Sequence, residues 1–138
     1  MPQYKVVIDT NVMVSALRKS TGAPGRILDS WVQGRFVLIV SQEILNEYFQ
    51  VLVRKAIEPD LVAVLSRRMS RYARLVRPKE RLNVVEQDAS DNKFLECALE
   101  ENAEYSISGD RHLLDLKRFG ETEIVTPTRF LKLVQPNS

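Results

Sequence analysis

Tyr4-Lys5-Val6-Val7-Ile8-Asp9 is the stretch on which the fold turns. It is short and β-branched and ends on an acid, the pattern of a buried strand. Outward from it, Asn11 to Arg18 has helical spacing. Thr21-Gly22-Ala23-Pro24 breaks the chain, and Pro24 suits the first turn of a second helix through about Gln33, which Gly34 stops. Phe36 to Val40 predicts a second buried strand. Ser41 is placed to cap a helix running to about Ala56, with Glu43 in its first turn. Pro59 opens a helix predicted through about Val76, with an apolar stripe of Leu61, Val62, Leu65, Met69 and Tyr72, and with Arg67, Arg71 and Arg74 on another face. Pro78 ends it. Leu82 to Val85 reads as a short strand, Asp88 to Asp91 as the start of a helix, Glu104 to Ser108 as a strand and Asp110 to Lys117 as a short helix. Glu123 to Thr126 is a last strand, and Pro127 to Val134 a closing helix. Strands alternating with helices imply an α/β fold, a mostly parallel, doubly wound sheet of about five strands flanked by helices. No repeat or linker divides residues 1–138, so one domain is expected.

Composition narrows the function. Of 138 residues, 44% are hydrophobic and 28% charged, which suits a globular chain with a real core. Cys97 is the only cysteine and His112 the only histidine, excluding an intrachain disulfide, a multi-cysteine zinc site and a paired-histidine site. No apolar run approaches the ~20 residues of a membrane span, and the first residues lack the apolar region of a secretory signal, so a cytoplasmic protein is expected. The net charge is +2, but the 66–81 segment carries seven basic residues (Arg67, Arg68, Arg71, Arg74, Arg77, Lys79, Arg81) against Glu80, or +6, leaving −4 for the rest. A basic stretch on an acidic body suits contact with a polyanion; it also suits a solvated helix face.

In an open parallel sheet, ligands bind beyond the carboxyl ends of the strands. Asp9 and Asp110 both follow strands, Asp91 lies at a helix start, and Glu47 lies within the helix capped by Ser41. Plainer roles exist for each: Asp88, Asp91 or Asp110 as a helix cap, Glu47 as a solvated helix residue. Converging carboxylates need neutralising, and Mg2+ or Mn2+ suits an all-oxygen site.

Val6-Val7-Ile8-Asp9-Thr10-Asn11-Val12, Ser41-Gln42-Glu43-Ile44-Leu45-Asn46-Glu47-Tyr48, the Asp88-to-Ala98 stretch and Ser108-Gly109-Asp110-Arg111-His112-Leu113-Leu114-Asp115-Leu116 together resemble the four motifs of PIN domains. More narrowly they resemble the bacterial and archaeal VapC-like branch, the toxins of toxin–antitoxin pairs. Ile124-Val125-Thr126-Pro127-Thr128-Arg129-Phe130-Leu131 matches that branch too. The resemblance implies a metal-dependent ribonuclease leaving a 5′-phosphate and a 3′-hydroxyl. It makes Asp9, Glu47, Asp91 and Asp110 the catalytic, metal-holding set, with Asn11, Ser108 and, more weakly, Asn92 as polar supports. It also implies an RNA substrate, an antitoxin partner and a homodimer. Arg67, Arg68, Arg71 and Arg74 are candidates for RNA phosphates, an acidic antitoxin segment or solvent. Trp31 and Tyr105 read as core or partner contacts, Asp88 as a turn or cap, and Asp115 as surface.

Three other readings compete. A haloacid dehalogenase-type phosphotransferase needs a second acid where Asn11 stands. A receiver-type signalling module needs a lysine after its last strand, where Thr126-Pro127 stands. A PIN-like domain that binds RNA or protein without cutting is the serious alternative, and the intact acidic set argues against it.

Overall fold

The computed structural model describes residues 3–82 and 91–134. The opening run forms β1 (Lys5–Ile8). It lies between two parallel neighbours, β2 (Val37–Val40) and β4 (Tyr105–Ile107). With β3 (Arg74–Leu75), β5 (Arg118–Phe119) and β6 (Thr122–Val125), the six strands are ordered β3-β2-β1-β4-β6-β5. All pairings are parallel except β5 with β6. Val6, Val7 and Ile8 are fully buried, as are Leu38 and Ile39. Such unbroken apolar runs are stable only in strands covered on both faces.

The helices are α1 (Thr10–Arg18), α2 (Ala23–Val32), α3 (Gln42–Arg54), α4 (Pro59–Tyr72), α5 (Asn92–Glu101), α6 (Arg111–Leu114) and α7 (Pro127–Val134). Asp9 caps α1 by accepting from the Val12 N–H, and Ser41 caps α3 by accepting from Ile44. α1 packs on α2 and α3, α2 on α7, and α5 on β1, β2 and β4. The core they enclose includes Trp31, Phe36, Tyr48, Phe94 and Phe130. Among the described residues, no helix is long and apolar enough to cross a membrane.

Three details depart from the sequence reading. α4 stops at Tyr72, because Ala73 is already extended (φ −79, ψ 147) and Arg74–Leu75 pair with β2. The Val76 N–H then bonds the Val40 carbonyl at 2.7 Å, so the open edge of β2 draws these residues out of the helix. Arg74 therefore belongs to a strand, and Leu61 and Tyr72 are exposed. Secondly, α6 is only four residues long, with Asp115 as its C-cap, and Lys117 beyond the cap lies in the left-handed region (φ 61). Thirdly, Arg118-Phe119 returns against Thr122-Glu123 as an antiparallel hairpin, with Gly120 supplying the positive φ of 59 that its turn requires. Most of the strand expected at Leu82 to Val85, and Asp88, lie outside the described residues.

Candidate active site

The sheet order reverses between β1 and β4, because β2 and β3 lie to one side of β1 while β4, β6 and β5 lie to the other. That switch point opens a crevice at the carboxyl ends of the two strands. Ile8 pairs with Ile107, so Asp9 and Ser108 leave their strands side by side. The Asp9 N–H bonds the Ile107 carbonyl at 3.0 Å, and the Ser108 hydroxyl donates to Asp9 Oδ2. Ser108 Oγ accepts in turn from the Asp110 N–H at 2.9 Å, tying the two acidic ends together.

Two helices bring the remaining acids. The Tyr48 hydroxyl donates to the Ile8 carbonyl, pinning α3 to the last residue of β1. Glu47, its neighbour, is thereby set beside Thr10, whose hydroxyl donates to Glu47 Oε2. Asp91 holds the N-cap position of α5 in αR geometry, but its side chain makes no cap hydrogen bond to the helix. Capping therefore does not account for an acid that is 9% exposed. Asp9, Glu47, Asp91 and Asp110 all line one polar cleft of about 360 Å³, with Thr10, Asn11, Gln50 and Arg54 around them.

Burial pushes the Asp9 carboxyl above its usual range. Hydrogen bonds from Ser108, Val12 and the Gly109 N–H act against that, while the negative charge of Asp110 adds to it. Burial also raises the Tyr48 hydroxyl well above its ordinary value, with Asp9 adding to the shift, so Tyr48 is a neutral donor here. Cys97, inside the core, is pushed up to about 12 by burial and is no nucleophile.

The plainer roles are partly realised as well. Asp9 caps α1, and Asp110 caps α6 by accepting from the His112 N–H at 2.7 Å. Both carboxylates do this while facing the cleft. Ser108 is fully buried against Asp9, Asn11 lines the cleft, and Asn92 is buried but does not line it. The basic set lies elsewhere. Arg67, Arg68 and Arg71 are on α4, and Arg74 on β3 pairs with Glu101 at 2.9 Å; none lines the acidic cleft. Trp31 is core, Tyr105 packs edge-on against Tyr4 and Phe130, and Asp115 is exposed. Sequence reasoning missed Thr10, Gln50, Arg54 and Lys93. Thr10 directly follows Asp9 and Lys93 stands two residues after Asp91, so proximity to the acids was the available signal.

The family model for the PIN domain matches residues 5–112, from β1 through the start of α6. The chain belongs to the PIN domain family. PIN domains are typically metal-dependent nucleases. This PIN domain is 38% identical over 121 residues to an uncharacterized protein of Methanocaldococcus jannaschii, covering 83% of this chain and 76% of that one. Its fold resembles VapC20 of Mycobacterium tuberculosis, a sarcin–ricin loop cleaving toxin, with a TM-score of 0.55 at 18% identity over 86% of this chain and 98% of that one. It also resembles PAE2754 of Pyrobaculum aerophilum, with a TM-score of 0.61 at 17% identity over 94% and 89% of the two chains.

The donor set fits a hard divalent cation in chemistry, since every acidic ligand is oxygen. Among the described residues, no three acidic, histidine or cysteine side chains are gathered tightly enough to cage an ion.

Proposed function

We propose that this PIN domain is a Mg2+- or Mn2+-dependent ribonuclease and the toxin of a toxin–antitoxin pair. The observation that carries the reading is the meeting of Asp9, Glu47, Asp91 and Asp110, from four separate segments, in one polar cleft at the sheet's switch point. Asp9 and Asp91, the most buried of the four, are the principal metal ligands, with Glu47 and Asp110 completing the shell or positioning water. When bound, the cation supplies an activated water and charge neutralisation for in-line attack on a phosphodiester. Ser108 holds Asp9 through its hydroxyl and the Asp110 backbone through its lone pair, so the carboxylates of β1 and the β4 loop keep one relative position. Asn11 offers an amide to a water or phosphate oxygen at the mouth of the cleft. Arg54, on the same wall, is placed to meet a substrate phosphate. Likeness in fold to VapC20, a toxin that cleaves the sarcin–ricin loop, supports the toxin role and an RNA substrate, while the antitoxin partner and the homodimer rest on the resemblance of the motifs to the VapC-like branch.

The test is cleavage of a structured RNA by the purified chain. Activity should need Mg2+ or Mn2+, stop in EDTA and leave 5′-phosphate and 3′-hydroxyl ends. Cleavage that continues in EDTA with 2′,3′-cyclic ends refutes the metal mechanism. RNA binding with no cleavage in either metal assigns the chain to the non-catalytic reading.

A further inference from the structure

Glu47 has both carboxylate oxygens engaged within the chain. Oε2 accepts from the Thr10 hydroxyl, and Oε1 lies 2.7 Å from the Lys93 ammonium. Lys93 reaches it from the first turn of α5, and the two side chains are 13% and 26% exposed. The ammonium also lies 5.3 Å from the centroid of the Phe94 ring, and Phe94 itself lines the cleft. An ion pair is thus held largely out of water, against an aromatic face, at the wall of the acidic cleft.

Such a pair limits what Glu47 can do. While Lys93 holds Oε1 and Thr10 holds Oε2, the carboxylate's charge is already matched and each of its oxygens already accepts one contact. A divalent cation drawing on Glu47 must compete with the ammonium for it. We propose that Lys93 is a resident counter-ion that competes with the divalent cation for Glu47 and so sets how tightly the cleft binds it. In the cation-free protein the same contact lowers the repulsion among the gathered acids, and it joins α3 to α5 across the cleft wall. Lys93 is a positioning residue in this scheme, acting through Glu47. The inference rests on the metal-dependent reading above.

The test is Mn2+ binding by calorimetry to the full chain without RNA. Lys93→Met removes the charge but keeps an unbranched stem over Phe94. It should tighten Mn2+ binding about fivefold, equivalent to ~1 kcal/mol. In a Glu47→Gln background the same change should shift affinity less than about twofold, because the contact it relieves is already gone. Lys93→Arg should bind as the parent does, and Lys93→Gln is the second charge-removing variant should the methionine variant fail to fold. Melting in EDTA should show Lys93→Met less stable than the parent, with Glu47 left uncompensated. Unchanged or weaker Mn2+ binding in the charge-removing variants overturns the proposal. An equal gain in both backgrounds also overturns it, since Lys93 would then act through the general field and not through Glu47. Absence of Mn2+ binding by the parent and every variant at millimolar concentration refutes the metal reading itself.

Discussion

Asp9 shows how one carboxylate serves two ends. It accepts from the Val12 N–H at 2.9 Å and so starts α1, yet it sits 4% exposed beside Asp110 in the cleft. Burial raises its pKa above that of the unfolded chain, so folding favours its protonated form. Its contribution to stability is therefore present at low pH and is lost as pH rises through the raised folded value. Asp9→Asn keeps the capping oxygen and removes the charge. In EDTA at neutral pH this variant should melt a few degrees above the parent, and the gap should close as pH falls. It should also lose cleavage while retaining RNA binding, and its melting temperature should respond far less to Mn2+. Melting curves across pH, with and without metal, check this; a variant that melts lower at every pH makes Asp9 a structural cap only. Asp91→Asn should likewise raise the metal-free melting point, because it removes one negative charge from a cleft lined by Asp9, Glu47 and Asp110.

At the scale of elements, the joints between helices and strands set the tolerances. Gly25 sits in the first turn of α2, where a Cβ would lie 2.6 Å from the Ser20 carbonyl carbon and 2.7 Å from its Cα. Those are backbone atoms with no rotamer to give way, so Gly25→Ala should cost about 2 kcal/mol or more. Gly109, between Ser108 and Asp110, has nothing within 4 Å of its Cβ position and no positive φ. Gly109→Ala should leave the melting temperature within about 1 °C of the parent. Just past α3, Ala56 has a φ of 56, where glycine is preferred. Ala56→Gly relieves that strain and should raise the melting temperature by about 3 °C. Thermal denaturation of these three variants orders them, and a stable Gly25→Ala contradicts the close approach.

For the whole molecule, the acids gather at the switch point while the basic residues of α4 and β3 lie outside that cleft. If RNA spans both regions, changing Arg67, Arg71 and Arg74 together to Glu should weaken binding and flatten its salt dependence by about 2 in log–log slope, at ~0.7 per phosphate contact. Affinity measured across salt concentrations decides it; an unchanged slope assigns this face to a protein partner or to solvent. The alternation of strands and helices is legible in the sequence, because β-branched runs, Ser41, Pro24 and Pro59 act locally on the backbone. The sequence also singled out Asp9, since an acid directly after a buried strand has few other uses, whereas Glu47, Asp91 and Asp110 stood out through the resemblance of their motifs to PIN domains. It could not show β3 or β5, whose two-residue strands exist only because β2 and β6 offer open edges to pair with. Nor could it show that Thr10 and Lys93 both turn to Glu47, from positions 37 and 46 residues away. Pairings over such separations carry no local signature. Only packing α3 and α5 beside the ends of β1 and β4 brings those charges together, and their mutual repulsion and neutralisation are decided there.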